Sequence, residues 1–84
     1  MNSNREVAIA FVNQKSLRSA HLISRGHSIF SYGDHFPIAK WATRNTVHFT
    51  NRKSSPSTER HKSEVWTQLY HAKVHVVEVD EVFG

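Results

Sequence analysis

Residues 31–39, Ser-Tyr-Gly-Asp-His-Phe-Pro-Ile-Ala, constrain this chain more than any other stretch. A Gly33-Asp34 pair between aromatic flanks predicts a tight hairpin connection, because glycine supplies the positive-φ backbone that such a turn requires. His35 and Phe36 then open the next strand. Pro37 has no N–H to give to a ladder, which predicts an edge strand or an irregular start.

The remaining elements are placed around this hairpin. Residues 4–15 predict a short helix with Val7, Ala8, Ala10, Phe11 and Val12 as its apolar stripe and Ser3 or Asn4 as its cap. Residues 18–24 alternate, with Ala20 and Leu22 on one face and His21 and Ile23 on the other, and Arg25-Gly26 marks a turn. Residues 27–32 predict a second strand with Phe30 and Tyr32 on a common face. Residues 36–42 form a third, Thr43-Arg44-Asn45 a turn, and residues 46–51 a fourth. In that fourth strand Val47 and Phe49 point inward and Thr46, His48 and Thr50 outward. Strands joined by short turns pair as an antiparallel meander.

A polar break, residues 51–57, leads into a helix capped by Ser55, with Pro56 at its first position, or by Ser57 one turn later. The helix runs to about His71. Val65, Leu69 and Ala72 share a stripe with His61, and Trp66 and Tyr70 widen it. Residues 73–79 are rich in valine and predict a last strand. The 74–79 run is apolar on both faces, so it is either a central strand or one that another subunit covers. The expected fold class is therefore α+β: two layers, an antiparallel β-meander with one long packed helix, a short N-terminal helix and a C-terminal strand.

Eighty-four residues make one small domain, residues 1–84. A chain this short buries little more than half of its unfolded surface, and dimerisation is one remedy. With no cysteine, disulfides, thiolate metal sites and thiol catalysis are excluded. No apolar run reaches the length of a membrane span, and the polar start lacks a signal-peptide core, so no membrane association and an intracellular setting are expected. The net charge is +4. Residues 1–73 hold all eleven Lys and Arg against four acids, and Glu78, Asp80 and Glu81 follow. A basic body with an acidic tail suits a nucleic acid or an acidic protein surface.

With the element order in place, three segments resemble a family of small bacteriophage proteins of unknown function. They are residues 31–39, then Val47-His48-Phe49-Thr50-Asn51-Arg52, then Ser55-Pro56-Ser57-Thr58-Glu59-Arg60-His61. Members look like a "YSYG-HFPIA" core, a hairpin, and a "YS-TT-KH" entry into a helix. Ala10-Phe11-Val12-Asn13-Gln14-Lys15-Ser16 is similar to the family's N-terminal helix and its exit. The likeness spans roughly residues 8–66. This chain departs from it at Ser54, where the family tends to have tyrosine, and at Pro56, where it tends to have a small apolar residue. The resemblance implies a phage origin, and with it the cytoplasm of an infected bacterial host. It carries no activity.

Catalysis needs a nucleophile, a base and an orienting carboxylate in one place. Acids are scarce: Asp34 and Glu59 alone lie near the motif segments, and Asp34 serves the turn. There is no glycine-rich phosphate loop. His35, His48 and His61 could converge on a metal, but no histidine pair falls on a single helix at ligand spacing. His61, on the stripe with Val65 and Leu69, reads as a buried imidazole satisfied by Ser57, Thr58 or the 54–55 backbone. Neither an enzyme, a metal site nor a cofactor is expected.

Arg44, Arg52, Lys53, Arg60 and Lys62 are the candidate partner-binding residues, with Tyr32 and Trp41 nearby. Basic side chains neutralise phosphates and aromatic rings stack on bases. The expected function is a non-enzymatic phage accessory protein. It would bind and inhibit or redirect a host protein or nucleoprotein complex with an acidic or nucleic-acid-binding surface, an anti-CRISPR-type defence target among them. Such an assignment follows presumed origin, not residues. The alternative is a small nucleic-acid-binding module that contacts nucleic acid directly.

Overall fold

The computed structural model describes residues 2–33 and 35–83. Helix α1 (Asn4–Val12) starts at a reciprocal cap: Ser3 Oγ accepts the Glu6 N–H at 3.1 Å, and the Glu6 carboxylate accepts the Ser3 N–H at 2.8 Å. Two otherwise orphaned donors are satisfied this way. Val7, Ala8 and Phe11 are its buried residues. The helix stops at Val12 and not at 15, because Gln14 adopts φ 58° and turns the chain toward the sheet.

Strands β1 (Ser16–Arg18), β2 (Leu22–Arg25), β3 (Ser28–Ser31), β4 (Phe36–Trp41) and β5 (Thr46–Thr50) follow as an antiparallel meander. Helix α2 (Pro56–His71) then carries the chain to β6 (His75–Val79), which pairs parallel to β5. The sheet order is β1-β2-β3-β4-β5-β6. The α+β class stands, with five strands before the long helix where four were expected. The single strand read over 18–24 is two. Ser19 turns the chain back, its N–H donating to the Leu22 carbonyl at 2.8 Å and its hydroxyl accepting the Leu22 N–H at 3.2 Å. Ala20 therefore lies in a turn.

The 31–39 segment forms its hairpin, with Ser31 opposite Phe36. Gly33 has φ 70° as expected, while Asp34 lies outside the described residues. Tyr32 also takes a positive φ, 56°, which carries its ring off the face of Phe30. It packs instead against His21 and His61, so the shared Phe30–Tyr32 face is not formed. Pro37 sits in a central strand, opposite Phe30 beside a register shift; the irregularity, not an edge, accommodates it.

Cross-strand partners share a face. Ala39–Phe49, Trp41–Val47 and Val47–Val76 lie on the helix-covered face, where Phe11, Leu22, Ile29, Ile38, Val65 and Leu69 complete the core. Lys40–His48, His48–Val77 and Thr50–Val79 lie on the other. The chain after β6 crosses back over that second face: Phe83 stacks on Phe30 with ring centroids 5.8 Å apart, and Lys40 Nζ lies 5.1 Å from the Phe83 centroid. Val82 is buried in this tail. β6 is an edge strand, so the central position is overturned.

Candidate functional site

Two features invite a functional reading: a buried imidazole and the distribution of charge. The imidazole is His61. As the first turn of α2 settles on the end of β3, His61 Nδ1 lies 2.6 Å from Ser31 Oγ. The same serine oxygen is 3.2 Å from Thr58 Oγ1, and Ser55, the N-cap, donates to Thr58 Oγ1 at 3.3 Å. His21 stacks on the ring at 6.3 Å and Tyr32 tilts against it at 5.6 Å. Burial first, and the neighbouring His21 second, push the His61 pKa below its usual 6.5.

A serine bonded to a histidine is the opening of a nucleophile–base pair. Here Ser31 is fully buried, and its hydroxyl is divided between His61 and Thr58. Among the described residues no carboxylate bonds to His61 to orient it. The arrangement fastens the start of α2 to the sheet. The ring bonds to Ser31, 30 residues away in sequence, and not to the expected Ser57, Thr58 or 54–55 backbone; Thr58 reaches it only through the Ser31 hydroxyl.

The five basic residues do not gather on one face. Lys62 is almost entirely buried, its Nζ donating to the Arg52 carbonyl at 2.7 Å and to Glu59 at 3.1 Å. It is a strut that closes the 51–55 loop over α2. The Ser54 hydroxyl and then Lys62 hold the Glu59 carboxyl below the usual carboxylate range. Arg52 pairs with Glu81 at 3.2 Å and lies over the Phe36 ring at 6.0 Å. Lys53 shares a groove with Glu59, Trp66 and Glu78, and Arg60 lies beside Glu64. Arg44 stands apart, because the whole of β5, about 17 Å of extended chain, separates it from that group.

The topology sorts charge by end instead. The exit of α1, the β2–β3 turn, the β4–β5 turn and the exit of α2 lie at one end of the sheet. Ser24 Oγ donates to the Lys15 carbonyl and the His75 N–H to the Asn45 carbonyl there. Lys15, Arg25, Arg44 and Lys73 belong to these segments, with Lys40 one residue inside β4, and His27, His71 and His75 alongside. No described acid does. Glu6, Glu59, Glu78, Asp80 and Glu81 belong to segments at the opposite end together with Arg5, Arg18, Arg52, Lys53, Arg60 and Lys62, so charge there nearly balances, and Arg52 and Lys62 are ion-paired. The excess positive charge of the chain therefore resides at the end that holds Arg44. A cleft beside Arg44 is lined by Gln14, His27, Trp41, Ala42 and Thr43.

Trp41 is not a free stacking platform: its indole N–H donates to the Phe11 carbonyl at 2.9 Å. Trp66 is 43% exposed and meets Phe49 edge-on. His48 faces away from His61, across the sheet, and among the described residues no three histidines or acids come within reach of one metal ion. No described helix is long and apolar enough to cross a membrane.

Comparison with known proteins gives no match to a family model, a curated protein or a solved structure.

Proposed function

We propose that this protein works by binding, and that its contact surface is the basic end built from Lys15, Lys40 and Arg44. The observation that carries this reading is the partition of charge: these cations stand on segments that contribute no described acid, whereas Arg52 and Lys62 are neutralised in the chain. The partner this suits is a macromolecule with an acidic surface. On the resemblance of residues 31–39, it is a host protein or nucleoprotein that a phage accessory protein would block.

Direct binding of nucleic acid is the second reading. It is favoured by the exposed imidazole of His27, which shares the cleft with Arg44. Affinity capture from bacterial lysate, with and without nuclease, separates the two. Wild type should retain a protein partner after nuclease, Lys15→Glu/Arg44→Glu should lose it, and Arg52→Glu/Lys53→Glu should keep it. Loss of all capture on nuclease treatment favours direct nucleic-acid binding. Loss in the Arg52/Lys53 variant alone returns the contact to the start of α2.

A further inference from the structure

The outer edge of β6 is open and matches itself. The register with β5, together with the His75 N–H on the Asn45 carbonyl and the Asn51 N–H on the Val79 carbonyl, directs the backbone groups of His75, Val77 and Val79 toward β5. In a parallel ladder the alternate residues point the other way. Val76 and Glu78 therefore present N–H and C=O groups outward, and no described strand pairs with them. An unpaired edge of this kind is a template for another strand.

Three of the exposed large apolar side chains line this edge. Val77 is 39% exposed on β6 itself. Trp66 (43%) and Tyr70 (73%), one turn apart on α2, flank it: Trp66 shares a groove with Glu78, and Tyr70 one with Val74 and His75. The charge along the strand is polarised, with Lys73 and His75 at its start and Glu78, Asp80 and Glu81 at its end.

We infer that a second copy of this chain occupies the edge, β6 pairing antiparallel with β6 across a two-fold axis at Val77. Only an antiparallel arrangement sets the basic start of one strand against the acidic end of the other. The register follows from the backbone. Val74 is already committed, its N–H donating to the Leu69 carbonyl in the cap of α2. Centring on Val77 leaves Val76 and Glu78 to exchange hydrogen bonds with Glu78 and Val76 of the partner. It places the two Val77 residues as a non-hydrogen-bonded pair, Cα atoms about 4.5 Å apart. His75 then stands opposite Val79 of the partner subunit, the last pair the strand allows. Such an axis is normal to the sheet, so both α2 helices lie on one face and shelter Trp66 and Tyr70 between them. A single sheet runs through both copies, and the short chain gains the burial that its length denies it.

Light scattering or sedimentation across a concentration series tests this, with two variants. Wild type should be a dimer. Val77→Lys sets like charges directly opposite at an exposed site and should weaken dimerisation roughly tenfold or more while leaving the melting curve of the monomer unchanged. Val77→Cys, in a chain without cysteine, should form a covalent dimer on oxidation, because the expected Cα separation lies within the range of about 4.4–6.8 Å that a disulfide spans. Val79→Cys, roughly 14 Å from its symmetry mate, should not. A wild-type monomer at high concentration overturns the inference. So does a dimer that Val77→Lys leaves intact and Val77→Cys fails to cross-link. None of these outcomes depends on the acidic partner.

Discussion

His61 shows how a single side chain can be placed from sequence and still be incompletely understood. Its position on the Val65–Leu69 stripe foretells burial, and burial foretells bonded ring nitrogens. The identity of the partner does not follow, because Ser31 arrives through tertiary packing and not through local chain geometry. Removing the ring leaves Ser31 with one buried partner fewer, so His61→Ala should cost about 1–3 kcal/mol in urea unfolding. The folded remainder should bind as wild type does. A variant of unchanged stability that no longer binds would make His61 part of the contact. The lowered pKa also sets a pH dependence. Below about pH 6.5 the unfolded chain takes up a proton at this site more readily than the native one. The contribution of neutral His61 is therefore complete above that pH and is lost as pH falls toward the lowered native value. The stability advantage of wild type over His61→Gln should shrink between about pH 7.5 and about pH 5.5, and an advantage that grows on acidification would contradict the buried, neutral ring.

At the scale of elements, hairpins announced by glycine were legible and those made by other residues were not. Gly26 and Gly33 have φ 91° and 70° at the turns where glycine was expected. Nothing lies within 4 Å of a Cβ built on Gly33, so Gly33→Val meets no steric obstacle there and pays only for its backbone. Chemical denaturation should register a loss of about 1–3 kcal/mol. Undiminished stability would mean the turn tolerates a β-branched residue, contrary to its geometry. The β1–β2 turn contains neither glycine nor proline; Ser19 closes it through its own hydroxyl and backbone, and β1, at three residues, is too short to show alternation. The positive φ angles of Gln14, Tyr32 and Lys73 were equally silent, though each decides where its segment turns. The 74–79 run leaves two readings open, a central strand or one that another subunit covers, and the topology removes the first: only one face of this edge strand packs on the core, with Val76 against it and Val77 exposed.

For the molecule as a whole, composition disclosed how much positive charge there is and topology decided where it lies. Counting along the chain groups Arg52, Lys53, Arg60 and Lys62 with Arg44 because the intervening strand has no length in sequence space. Folding β5 separates them and brings Glu81 to Arg52 from the far end of the chain. Exposed loop charges contribute little to stability, so reversing them should leave the fold intact. Complementary charge acts mainly on the rate of encounter. The most direct test of the account is the association rate of the captured partner with wild type and with Lys15→Glu/Arg44→Glu, measured at low and at high salt. The account predicts slower association for the variant at low salt and convergence of the two rates at high salt, as screening removes the difference. Equal rates at low salt would contradict it and remove the basic end as the surface that meets the partner.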